Sequence, residues 1–120
     1  MIDQAFAEQF ADAWIAAWNN HDLERILAHY TDDFAFASPR IVQLAGEPSG
    51  KLQGKEAVGA YWAKGLQRAP DLHFELLTVL TGVQSVTLYY KGFRGVLAAE
   101  VFVFNEAGKV KWSAAHYAAQ

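Results

Sequence analysis

The sequence predicts an α+β fold with an antiparallel sheet, on three observations. Apolar residues recur every three or four positions in the first half of the chain. After Pro70-Asp71 the period falls to near two and stays there. A Gly-containing turn, Glu106-Ala107-Gly108-Lys109, then separates the last two apolar runs. Helices first and consecutive strands after is the order of an α+β domain, not of an alternating parallel one.

Phe6, Phe10, Trp14 and Trp18 repeat every four residues, with Ala7, Ala13 and Ala17 beside them, which makes one broad apolar face on a helix. Asn19-Asn20-His21-Asp22 breaks it, and Asp22 can cap a following helix. Leu23, Ile26, Leu27 and Tyr30 fit the spacing of a second, shorter helix running to Tyr30. Thr31-Asp32-Asp33 reads as a turn. Phe34, Phe36 and Ser38 then share one face of a strand ended by Pro39. Residues 39–54 hold two of the three prolines and three of the nine glycines, the composition of an irregular loop, with room for a short strand at 41–44. Val58, Tyr61, Trp62 and Leu66 mark a third helix over 55–66, weakened by Gly59 and Gly65. Leu72, Phe74, Leu76 and Leu80 alternate with His73, Glu75 and Leu77 in the next strand. Three more strands are expected at 83–91, 95–105 and 109–118, with Gly108 at the positive-φ position of the last turn.

At 120 residues the chain is expected to be one domain, 1–120, with a full core. Hydrophobic residues make up 52% and aromatics 14%, more apolar surface than one compact core uses, so a lined pocket or a subunit interface is expected. The absence of cysteine rules out disulfides and thiolate chemistry. A net charge of −3 from well-mixed residues argues against a nucleic-acid partner. No leader-like N-terminus and no apolar run of membrane-spanning length is visible, so a cytoplasmic protein without membrane attachment is expected.

The stretch from Trp14 to Pro39, a helix, NNHD, a second helix, YTDDF, a strand and SP, resembles the nuclear transport factor 2-like superfamily, its SnoaL-like and ketosteroid-isomerase-like branch in particular. Gly54-Lys55-Glu56-Ala57-Val58 with Tyr61-Trp62 resembles that branch's third-helix opening, and Phe104-Asn105-Glu106-Ala107-Gly108-Lys109-Val110 its final hairpin. The resemblance implies a cone, a cystatin-like α+β roll in which a curved antiparallel sheet wraps three helices from the N-terminal half and leaves an apolar cavity. It also implies a homodimer through the outer face of the sheet. It does not fix a function, because this fold hosts isomerases, dehydratases, cyclases and binding modules.

Glu100 is the sharpest candidate for chemistry. It lies in the most apolar strand, on one face with Ala98, Phe102 and Phe104. A carboxyl aimed into an apolar cavity has its pKa raised and can act as acid, base or hydrogen-bond donor. The plainer reading is an outward Glu paired with Arg94 or a lysine. The resembled isomerases carry an Asp just before the proline that ends the first strand. This chain has Ser38 there, a poor base without a neighbouring histidine. Trp14 stands where those enzymes place a Tyr on the first helix, and an indole donates without titrating.

Trp14, Trp18, Tyr30, Phe36, Ser38, Tyr61, Trp62, Phe102 and Tyr117 are candidate ligand contacts, and Arg40 a rim cation for an anionic group. For the aromatics the plainer reading is core, for Arg40 a solvated loop residue. Asp32 and Asp33 read as turn residues. His21, His29, His73 and His116 are scattered without ligand spacing, so no metal is expected. In the last strand either Ser113, Ala115 and Tyr117 or Trp112, Ala114 and His116 face inward, and the resemblance favours the first set. No phosphate loop or dinucleotide fingerprint is present, so no cofactor is expected. Three functions follow. The first is a pocket that binds a small hydrophobic molecule. The second is a cofactor-independent acid–base enzyme, an isomerase, cyclase or dehydratase using Glu100. The third is a dimerisation or docking module without a ligand.

Overall fold

The computed structural model describes residues 2–119. Helix α1 (Gln4–Asn19) is capped by Asp3, whose carboxylate accepts from the Ala5 amide, and buries Ala7, Phe10, Ala11, Trp14, Ala17 and Trp18 on one face. His21 turns the chain with a φ of 53°, and the Asp22 carboxylate accepts from the Arg25 amide at 3.2 Å to open α2 (Leu23–Leu27).

Two expectations near this junction need correction. Helix α2 stops before Tyr30, which begins strand β1 (Tyr30–Ala37), and Thr31-Asp32-Asp33 lies inside that strand, not in a turn. Tyr30 fits the helical spacing only by coincidence. Its hydroxyl is held from above by the Trp14 indole, which donates at 3.0 Å, and its ring packs on Phe34. A register irregularity between Tyr30 and Ala35 accommodates the two exposed aspartates.

The segment after β1 also departs from expectation. Residues Pro39–Leu44 form a short helix, α3, where the sequence suggests a short strand at 41–44. Pro39 occupies the first turn, and the Ser38 hydroxyl accepts from the Arg40 amide at 3.2 Å as N-cap, so both residues are used as helix-start signals. Strand β2 (Lys51–Gln53) follows. Helix α4 (Lys55–Arg68) then starts after Gly54, whose φ of 91° suits only glycine.

The remaining strands are β3 (Glu75–Gly82), β4 (Ser85–Lys91), β5 (Leu97–Phe104) and β6 (Val110–Tyr117), with one short 3-10 turn at Phe93–Gly95 between β4 and β5. They form a six-stranded curved sheet in the order β2-β1-β6-β5-β4-β3. All neighbouring pairs are antiparallel except β1 with β6, which run parallel, as a strand from the helical half and the last strand of the chain can. In β3, Leu76 pairs with Tyr90 but Thr78 with Tyr89, so Leu77 is an extra residue. The bulge flips the phase expected from simple alternation. Val79 turns inward and Leu80 is 54% exposed. The last turn follows expectation: Gly108 has a φ of 78°, and the Asn105 side chain accepts from the Ala107 and Lys109 amides.

The inner face of the sheet carries Phe34, Phe36, Leu88, Phe102 and Phe104, packed against α1 and α4, with α2 packed on those two helices. Phe10 sits edge-on to Phe102 and Phe104 at 4.8 and 5.0 Å, closing the end of the core beneath the N-terminal half of α1. Toward the other end, Trp14 and Trp18 approach Phe74 at 5.7 and 5.5 Å, and Trp18 meets Trp62 at 5.3 Å. This aromatic layer lines an open space instead of filling it.

A candidate ligand cavity with a buried carboxyl

Strand β5 alternates as its sequence predicts, with Ala98, Glu100, Phe102 and Phe104 buried and the residues between them only partly so. Glu100 is 4% exposed. Its register sets it between Leu88 of β4 and Ala115 of β6, and its carboxyl reaches diagonally to one polar side chain on each strand. The Ser113 hydroxyl donates to Oε2 at 3.0 Å and the Tyr90 hydroxyl to Oε1 at 3.3 Å. Among the described residues no cation pairs with it. Burial therefore dominates and pushes the Glu100 pKa from 4.5 to about 7, against the opposing pull of the Ser113 and Tyr90 hydrogen bonds. The outward reading with Arg94 does not hold. Arg94 lies in the 3-10 turn, its guanidinium over the Phe93 ring.

Above Glu100 lies a cavity of about 540 Å³, within the range of sites for drug-sized ligands. Trp14 and Trp18 of α1 line it, as do Tyr61 and Trp62 of α4. Phe36, Arg40, Glu100 and Tyr117 complete the set of sequence-nominated residues that reach it. The Arg40 guanidinium rests 3.9 Å above the centre of the Tyr117 ring, which fixes both at the opening. Burial raises the Tyr117 phenol pKa, Glu100 adds to the rise, and Ser38 and Arg40 oppose it. Tyr61 is pushed up to about 12, by burial first and by Tyr117 second. Both phenols are therefore neutral donors near neutral pH.

Three nominated residues do not line the cavity. Tyr30 is fully buried beneath Trp14, its hydroxyl occupied by the indole. Phe102 is wholly enclosed between Phe10 and Trp14. Ser38 is engaged as the cap of α3. That last placement matters chemically: the position where the resembled isomerases carry an Asp here serves a helix start.

Other contributors were missed. Tyr90 and Phe74 line the cavity, and Tyr90 holds Glu100 directly. Val86, Leu88 and Tyr90 share a parity that was legible, but which strand would lie beside Glu100 was not. For the last strand, Ser113, Ala115 and Tyr117 turn inward, whereas Trp112 is 40% exposed and His116 lies on the outer side with it. The buried Trp18 indole nitrogen has no hydrogen-bond partner among the described residues, and its ring packs edge-to-face on Trp62. Among the described residues no group of His, Asp or Glu is arranged to hold a metal ion. None of their helices is long and apolar enough to cross a membrane.

A family model for the SnoaL-like domain matches residues 11–111. The chain belongs to the SnoaL-like family. A SnoaL-like protein of unknown function from Burkholderia thailandensis is 57% identical, with a TM-score of 0.96 and 98% of each chain covered. Two distant structures share the fold of this SnoaL-like chain. One is a cystatin-like protein of unknown function from Methylobium petroleophilum (15% identity, TM-score 0.78, 99% of this chain and 80% of that one). The other is a candidate isomerase of the SnoaL-like family from Agrobacterium tumefaciens (16% identity, TM-score 0.76, 97% of this chain and 100% of that one). No curated protein matches the chain significantly. The helices, the mixed six-stranded sheet and the apolar cavity of this SnoaL-like protein agree with the nuclear transport factor 2-like cone.

Proposed function

We propose that this SnoaL-like protein receives a small, mostly apolar molecule in the cavity and holds it through Glu100. One observation carries the reading: among the described residues a single buried carboxyl, without a counter-ion, opens onto a space walled by aromatic rings. A core built only for stability has no use for such a group, which costs desolvation energy and is relieved by a ligand's hydrogen bond. Calorimetry against a panel of small apolar molecules, neutral and anionic, tests it. Binding is expected for members that carry one hydroxyl or carbonyl, with an affinity that changes between pH 6 and 8 in the native protein and stays flat in Glu100→Gln. A panel with no binder at all would leave only a docking module and sink the reading.

A second reading, acid–base catalysis, is favoured by the same carboxyl. With a pKa of about 7, Glu100 is close to half protonated at neutral pH, the poise that suits a group which takes a proton and returns it. Tyr90, 3.3 Å away, steadies the ionised form. The reaction class is an isomerisation, cyclisation or dehydration without an organic cofactor. The Agrobacterium tumefaciens candidate isomerase has the same fold and lends this reading an analogy only. Turnover of a substrate by native protein and unchanged turnover by Glu100→Gln would refute it.

We also propose that two copies pair through the outer face of the sheet. Ala37, Ala114 and Val101 form one row across β1, β6 and β5, and Ala35, Trp112 and Val103 the next, with Lys51 at the β2 end of the first row and Thr87 and Ser85 at the β4 ends. Such an apolar centre with polar ends matches the layout of a homodimer interface.

A further inference from the structure

We propose that the molecule this cavity accepts carries an anionic group, a carboxylate in the simplest case, held at the mouth by Arg40, Lys64 and Arg68 while its apolar body extends inward toward Glu100. The inference rests on the pocket reading above and names the class of ligand for that site.

All three cationic residues line the cavity, and Lys64 and Arg68 are exposed, which puts them at its opening. Arg40 comes from α3 and the other two from the C-terminal half of α4, so cations face the opening from two elements. Glu100, the cavity's only acidic lining residue among the described residues, lies buried at the floor. The cluster also runs against the chain as a whole, which has 13 acidic and 10 basic residues.

Stability accounts for only part of the arrangement. Lys64 and Arg68 are four residues apart on one helix face, where like charges repel. The other neighbours of Lys64 at that spacing, Ala60, Tyr61 and Gln67, supply no carboxylate. The single ion pair among the described residues is Lys55 with Asp32, so Arg40, Lys64 and Arg68 are all unpaired there. Arg68 complements the carbonyl end of α4, but Lys64 lies a turn further in and gains less from it. Arg40 is turned onto the Tyr117 ring, which holds its guanidinium beside the cavity. Three unpaired cations around one apolar opening form an electrostatic funnel for a negatively charged apolar molecule.

A matched pair of probes tests this: 1-naphthylacetate and 2-(1-naphthyl)ethanol, which share an aromatic body and differ in charge. Calorimetry is run at pH 6, below the Glu100 midpoint of about 7, so that the floor does not repel the acid. In native protein at low ionic strength the acid is expected to bind on the order of tenfold more tightly than the alcohol. That ratio should shrink several-fold in about 0.5 M salt, in Arg40→Gln, and in the double variant Lys64→Gln/Arg68→Gln. The alcohol serves as reference within each variant, so a general loss of folding or of cavity shape does not mimic the effect. Equal binding of the two probes, or a preference for the acid that survives both variants, overturns the anion site and leaves the pocket reading standing. Failure of both probes to bind overturns the pocket reading and the anion site with it.

Discussion

Glu100 sets the residue-scale behaviour of this protein. Its folded pKa of about 7 lies above the ordinary 4.5, so the folded state favours the protonated carboxyl. The stability this supplies is fully present below pH 4.5 and is lost as pH rises through 7. Relative to Glu100→Gln, native protein should therefore lose about 3 kcal/mol of unfolding free energy between pH 4.5 and 8. Urea denaturation of both proteins across that range measures the difference, and parallel curves would show that the carboxyl is not buried as described. The position of Glu100 was legible because strict alternation in an apolar strand left one face for it. Its partners were not. Tyr90 and Ser113 depend on cross-strand register, which no single strand encodes.

At the scale of elements, the cavity survives because its walls are tied from outside the core. The Asn19 side chain accepts from the Phe74 amide at 2.6 Å and donates to the Phe74 carbonyl at 3.0 Å, fastening the start of β3 to the end of α1. Asn19→Ala strands both groups, and a loss of about 2 kcal/mol is expected in thermal or urea unfolding, with looser ligand binding because Phe74 is a cavity wall. Helix α4 offers the converse test. Gly65 lines the cavity with a normal helical backbone, and a Cβ built there meets nothing within 4 Å. Gly65→Leu should raise stability by up to about 1 kcal/mol through helix propensity while filling the cavity and weakening ligand binding. A variant that is both less stable and equally able to bind would contradict the placement of α4. The elements misread from sequence were the ones whose local signals conflict. Ser38-Pro39 both ends a strand and starts a helix, and Tyr30 fits a helical stripe while beginning a strand. The bulge at Leu77 breaks an alternation that the sequence shows as unbroken.

For the molecule as a whole, the fold was the most legible layer and the site the least. The order of helices, strands and turn residues is spread along the chain and each signal is local, so errors in one element leave the others standing. A cavity is defined by what side chains from distant parts of the chain leave empty, and Phe74 just before β3, Tyr90 of β4 and Arg68 of α4 all reach it. The two faces of the sheet make separate predictions. The outer one is expected to hold a dimer in analytical ultracentrifugation, and Trp112→Lys, which puts a charge in the centre of its apolar band, is expected to shift the species toward monomer. A native protein that sediments as a monomer at all concentrations would refute the pairing. The inner face is tested most directly by the indole N–H signals of the four tryptophans in a proton–nitrogen NMR titration with 2-(1-naphthyl)ethanol. Trp14, Trp18 and Trp62 line the cavity and Trp112 lies on the opposite face, so the chain carries its own control. Saturable shifts of the first three with a still Trp112 signal are expected; shifts confined to Trp112, or none, would contradict a ligand cavity above Glu100.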